Sequence, residues 1–169
     1  MGKLKYGQIR GGHASFPLPM GASEQMYGKS GRFVANDASG RGELADENDT
    51  YLMGFVESGT LTCSTTEGGT VLNCVIDLTA VFRVPLAYDA STYDRNYSSA
   101  LLGELCDIVV LNGVQYINVS ASAVDNVRIV GGKAASAAWT DGSVAGLCLG
   151  DGYVDVMLVE GKLYVTGVE

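Results

Sequence analysis

The sequence predicts an all-β fold: an antiparallel β-barrel or β-tulip/sandwich built of hairpins, preceded by an extended N-terminal arm. Three observations lead there. Glycine supplies 23 of 169 residues and apolar residues 47%, which suits tight turns around a real core better than long helices. From residue 43 onward, short apolar runs alternate with turn dipeptides. Charge divides the chain as well. Residues 1–42 hold six bases and two acids, a net of +4, whereas the other 127 hold five bases and seventeen acids, a net of −12. The sequence therefore divides into a basic glycine-rich arm, 1–42, and an acidic barrel-like body, 43–169.

The arm contains nine glycines with Pro17 and Pro19 and shows no sustained period. Its one strand-like piece is Gly31-Arg-Phe-Val-Ala35, closed by the turn formers Asn36-Asp37 and Ser39-Gly40. Phe16, Leu18, Met20, Met26, Tyr27 and Phe33 are apolar anchors, as expected of an arm that orders on a partner.

In the body, Tyr51–Glu57 reads as a strand. A two-residue turn at Gly68-Gly69 would place Cys63 opposite Cys74 and send Leu61, Cys63, Leu72, Cys74 and Ile76 to one face. Asn112-Gly113 is the strongest hairpin signal, joining Asp107–Leu111 to Val114–Val119. Gly131-Gly132 is read as a turn after Val127–Val130. Tyr153–Val159 is expected to return through Glu160-Gly161 along Lys162–Thr166, with Val154, Val156 and Leu158 facing inward. Only Ser91–Leu105 has helical spacing, and Gly103, Asn96, Ser98 and Ser99 limit it to about two turns.

The residues argue against several chemistries. The four cysteines (Cys63, Cys74, Cys106, Cys148) include no Cys-x-x-Cys pair and read as small buried thiols; the one histidine, His13, lies in the arm. A nucleophile would lack a firmly held base, so no catalytic residue, metal or cofactor is assigned. Most acids flank turns, the usual place for side chains that cap backbone amides in water. A net charge of −8 and bases without a cluster disfavour nucleic acid. No apolar run near eighteen residues suggests a membrane span, and no signal-like segment follows Lys5, so synthesis in the cytoplasm is expected.

Two stretches carry a family resemblance: Gly31-Arg-Phe-Val-Ala-Asn-Asp-Ala-Ser-Gly40 followed by Ala45–Glu57, and Gly103-Glu-Leu-Cys-Asp-Ile-Val-Val-Leu-Asn-Gly-Val-Gln-Tyr-Ile-Asn118. They resemble the strand-and-turn patterns of tailed-bacteriophage capsid decoration (cement) and other virion-associated structural proteins. The resemblance covers about a quarter of the chain. It implies a viral structural protein without enzymatic activity, assembled in the host cytoplasm as a homotrimer and bound to the major capsid protein on the capsid surface. The arm would stabilise the lattice through Lys3, Lys5, Arg10, Phe16, Lys29, Arg32, Phe33 and Arg41. The longer arm leaves a head-fibre base or another minor virion component as an alternative. A second alternative is a carbohydrate or cell-surface binding module with an aromatic patch drawn from Tyr88, Tyr93, Tyr97 and Tyr116.

Overall fold

The computed structural model describes residues 7–11, 14–28, 30–87, 97–111, 113–119, 123–134 and 152–164. Within them the chain is all-β and sandwich-like, as the glycine content and alternating runs predict, and it is not closed into a barrel. Five strands precede residue 45: β1 (Gly7–Arg10), β2 (Ser15–Pro19), β3 (Gln25–Met26), β4 (Phe33–Asn36) and β5 (Gly42–Leu44). β6 (Gly54–Val56), β7 (Leu61–Thr62), β8 (Val71–Val75), β9 (Val81–Val84) and β10 (Leu86–Ala87) follow. β11 (Leu105–Leu111), β12 (Val114–Asn118), β13 (Val127–Lys133) and β14 (Tyr153–Leu158) complete the set.

These strands form three layers. A seven-stranded sheet runs β1-β9-β14-β13-β11-β12-β10, a five-stranded sheet runs β2-β8-β6-β4-β5, and β3 pairs with β7 alone. All pairs are antiparallel except β10 beside β12. Around β4, β6 and the end of β8 the five-stranded sheet is buried on both faces, which its alternating residues make visible. Phe33, Phe55 and Val75 enter the cluster against the seven-stranded sheet, while Val34, Val56 and Cys74 enter a second cluster with Leu18, Met20 and Met26. At the centre of the first cluster Phe55 stacks on Phe82 at 4.4 Å between centroids, and Phe33 meets both edge-on at 5.0 and 5.6 Å. Such aromatic contacts add to the free energy of area burial.

A single buried side chain ties the two large sheets together. Gln115, on β12 and fully buried, accepts a hydrogen bond at Oε1 from the Phe33 amide (2.8 Å). Its Nε2 donates to the carbonyls of Phe33 (2.9 Å) and Ala45 (2.8 Å). The same strand's backbone takes the Gly31 amide (3.0 Å) and the Ser30 hydroxyl. Gly31 must be glycine here, since a Cβ would lie 2.5 Å from Gln115 Oε1.

The arm expected over 1–42 is therefore corrected for the described part of that segment. β1 pairs with β9, β2 with β8, and β4 with β5 and β6, so these residues belong to the body's sheets. Prolines hid β2. The bonds Met20 N–H to Thr70 O and Ile76 N–H to Ala14 O show that even-numbered residues of this strand face β8. Pro17 and Pro19 thus fall on the outer side, where a missing amide costs nothing.

Other expectations change for equally local reasons. β7 and β8 are not a hairpin about Gly68-Gly69: Thr70 Oγ1 caps the Ser64 amide in a longer loop, and β8 takes β2 and β6 as partners. Cys63 therefore does not stand opposite Cys74, but both are buried free thiols as expected, and so is Cys106. Gly131 and Gly132 lie inside β13, beside a bulge, and make room rather than a turn: a Cβ at Gly132 would sit 2.5 Å from the Tyr97 ring. β14 already has β13 and β9 on its two sides, so the chain after it cannot return along it. A short 3-10 turn at Glu160–Lys162 instead leads Leu163 to bridge Leu52. β11 and β12 pair in the register expected of the Asn112-Gly113 hairpin, Leu111 opposite Val114. Residues 91–96 of the expected helix lie outside the described residues, and the rest, 97–105, contains only a 3-10 turn at Ser99–Leu101 before β11 begins.

Gln115→Leu keeps the volume but orphans one amide and two carbonyls inside the sandwich. The substitution is expected to cost about 3 kcal/mol of stability, read from urea unfolding followed by circular dichroism.

Candidate functional site: a groove at the sandwich margin

An open groove of about 360 Å³ is lined by Gln8, Ile9, Arg10, Gly11, Ser15, Glu57, Asn73 and Val75. Topology produces it. Ser15, Pro17 and Pro19 oppose Val75, Asn73 and Val71 and share their sheet face. At Val75 that face is buried under the seven-stranded sheet, but toward Asn73 and Val71 it is exposed. The β2–β8 ribbon therefore overhangs the sandwich, and β1 runs along the margin above it.

Two glycines set the course of β1. Gly7 (φ +110°) leaves space that the Arg32 guanidinium fills, and Gly11 (φ +76°) lies against the Thr79 carbonyl, where a Cβ would come within 2.4 Å. Arg32 is 4% exposed. Its Nε donates to Val56 O (3.2 Å), its Nη1 to Tyr27 O (3.3 Å), and it lies 5.1 Å from the Phe55 ring centroid. Burial lowers its pKa, and the Glu57 carboxylate opposes that shift. In this setting Arg32 is a structural cation rather than an accessible contact.

The residues expected to bind a capsid are thus not gathered on one surface. Arg10 is exposed in the groove; Phe16 is half-buried against the second cluster; Phe33 is at the centre of the core. Arg41 is held by Glu67 at 2.8 Å. Lys3, Lys5 and Lys29 lie outside the described residues. Burial of Arg32 and Phe33 removes them from any docking surface, because exposing them would open the sandwich. The tyrosine patch is corrected too: Tyr116 is buried with Val109 and Val114, and Tyr97 packs on the main core, while Tyr88 and Tyr93 lie outside the described residues. The groove residues Gln8, Ser15, Glu57 and Asn73 were missed; the Phe16/Leu18/Met20 alternation was the signal that would have revealed β2 and hence its exposed face.

The β5 edge of the five-stranded sheet, bridged at Gly42 by Met20, is acidic. Burial, then the carboxylates of Asp49, Glu24, Asp37 and Asp46, raises the Glu43 pKa. Asp49 is raised by burial and by Asp46 and Glu47, although a bond from the Asp46 amide partly counters this. Among the described residues no three His, Cys, Asp or Glu side chains converge in a metal-holding group. Three short acid caps are visible instead: Asp37 on Ser39 and Arg41, Asp46 on Asn48, and Asp77 on Thr79. Asp107 has a larger task, taking the amides of Ala123, Val124 and Asp125 at 2.7–2.9 Å and so fixing the turn before β13.

The chain matches no protein-family model, and no curated protein or solved structure matches it.

Glu43→Gln relieves repulsion at neutral pH, because a carboxyl raised in the folded state opposes folding while charged. A rise in melting temperature of about 1–3 °C at low salt is expected, shrinking in about 0.5 M NaCl. Burial pushes the Cys74 and Cys106 thiols up to about 12. Thiols raised by folding leave stability intact below the unfolded value near 9 and reduce it as pH climbs from there toward 12. Native protein at about pH 8 should leave Cys74 and Cys106 unmodified by iodoacetamide, and urea should expose both, as read by mass spectrometry of peptides.

Proposed function

We propose that this chain is a structural protein of a tailed-phage virion, a capsid decoration protein that docks through the overhanging β2–β8 ribbon. One observation carries the reading: Val71, 56% exposed, stands beside Pro19 at the tip of a ribbon whose other face is anchored in the second cluster. The tip offers a shell an apolar contact of fixed shape, and prolines on its free side keep it from pairing indiscriminately with other strands. Both stretches that resemble decoration proteins fall on sandwich elements, β4 to β6 and the β11–β12 hairpin. Docking of this kind replaces a flexible strap by a preorganised surface, which lowers the ordering cost of attachment.

Co-sedimentation with empty shells of the same phage tests the proposal. Val71→Asp should weaken binding at least ten-fold with an unchanged melting temperature. Equal binding by the variant would remove the tip from the mechanism, and absence of wild-type binding would remove the virion reading.

A further inference from the structure

Two tyrosines far apart in sequence are brought together by a short parallel bridge. Leu52 and Leu163 pair there, the Leu52 amide donating to the Lys162 carbonyl and the Tyr164 amide to the Leu52 carbonyl, both at 2.7 Å. Leu52 is buried in the first cluster, and Leu163 packs against that cluster. Side chains alternate along an extended chain, so Tyr51 and Tyr164, each next to an inward leucine, leave by the other side. One strand spacing and two residue rises put their Cα atoms about 8 Å apart. Tyr51 is 51% and Tyr164 46% exposed, and they are the exposed aromatic side chains among the described residues. Neither ring stacks on another ring or on a cation among those residues.

The turn that leads into Tyr51 is acidic. Asp46 and Asp49 are bonded to each other, the Asp49 amide to the Asp46 carbonyl (3.3 Å) and the Asp46 amide to Asp49 Oδ2 (2.8 Å), and Glu47 is exposed between them. Burial, and after it the charges of Asp46 and Glu47, disfavours ionisation of Asp49, with the Asp46 amide acting in the other direction. The three carboxyls therefore share one field. Among the described residues the ion pairs are Arg41–Glu67 and Arg83–Asp155, and none of the three acids joins one. On the other side of the bridge the charges of Glu160 and Lys162 offset each other. Buried Asn126 holds the turn in place, donating from Nδ2 to the carbonyls of Asp49 (3.0 Å) and Thr50 (3.4 Å).

The face of an aromatic ring attracts a cation, and the planar guanidinium of arginine is the side chain found there most often. Two such faces beside three carboxylates without an ion pair are complementary to positive charge on a flat group. We propose that Tyr51 and Tyr164, with the carboxylates of the Asp46–Asp49 turn, form a platform that binds an arginine-rich segment of a partner protein. Guanidinium groups would lie over the rings while their charge meets Asp46, Glu47 and Asp49. The backbone beneath both rings is already fixed by the bridge and by Asn126, so little ordering is needed on this side. The proposal does not rest on the virion reading.

Fluorescence anisotropy of a labelled oligo-arginine peptide with the full chain, without shells, tests it. Wild type should bind the peptide, with a dissociation constant that rises about ten-fold or more between about 0.05 and 0.5 M NaCl. Tyr51→Leu combined with Tyr164→Leu removes the ring faces while leaving the net charge and much of the apolar area, and should weaken binding about five-fold or more. Tyr51→Phe combined with Tyr164→Phe keeps the faces and should bind as wild type does. Glu47→Gln should weaken binding about two-fold or more. All three positions are exposed, so the melting temperature should not change. Absence of wild-type binding, an unchanged affinity for the double leucine variant, or a loss of affinity in the double phenylalanine variant would each overturn the proposal. Binding of a neutral oligosaccharide in place of the peptide would give the rings a different occupant and overturn it as well.

Discussion

The side-chain amide of Gln115 is the constraint on which the sandwich depends. A primary amide offers a carbonyl and two N–H groups in one plane, and Gln115 uses this geometry as a strand would, closing a hydrogen-bonded ring with the backbone of Phe33. Sheet faces normally meet through apolar side chains alone, which fix separation better than register. A fully satisfied buried amide adds direction: only one placement of β4 beneath β12 meets every donor and acceptor. The aromatic cluster is aligned as a result, since Phe33 carries both the amide that Gln115 reads and the ring that contacts Phe55 and Phe82.

Most other buried polar groups serve the same purpose of fixing segments that have little core of their own. Arg32 holds the 27–28 turn and β6 together, Asp107 fixes the 123–125 turn, and Asn126 reaches back to the carbonyls of Asp49 and Thr50. On the outer face of the seven-stranded sheet, Arg83 forms a two-point contact with Asp155 and lies 3.7 Å from the Tyr153 ring centroid. Charge is thus drawn into the framework near β1 and β9 but left repelling at the β5 edge. The end of β2 nevertheless reaches β5, where Met20 bridges Gly42 and the Gly21 amide donates to the Gly42 carbonyl.

What the sequence made legible followed from short-range rules. Asn112-Gly113 dictates a two-residue turn, Gly113 has the positive φ (+75°) that such a turn demands, and the alternation of Val154, Val156 and Leu158 gives the correct inner face of β14. The division into arm and body was not reliable, because charge composition reports solvent and counter-ions while strand membership is decided by partners far along the chain. β1 and β2 take β9 and β8, more than fifty residues away, and nothing local in Gly7–Arg10 announces that choice. Glycine was ambiguous for a related reason. At Gly113 it marks a turn, at Gly132 a close approach, and only the three-dimensional neighbour distinguishes the two uses. The groove shares this origin, being made of residues brought together by long-range pairing without any motif among them.

The central position of β14, between β9 and β13, bears on how the molecule is made. Residues 153–158 are synthesised after every other strand described, yet they join the half of the sheet that holds β1 and β9 to the half that holds β11 to β13. Until they emerge from the ribosome, β9 and β13 lack the strand that lies between them and the sheet is split down its middle. Folding is therefore a late, concerted event with a slow search over distant pairings. A ribosome stalled before residue 153 would leave a sticky, half-zipped intermediate dependent on chaperones for solubility.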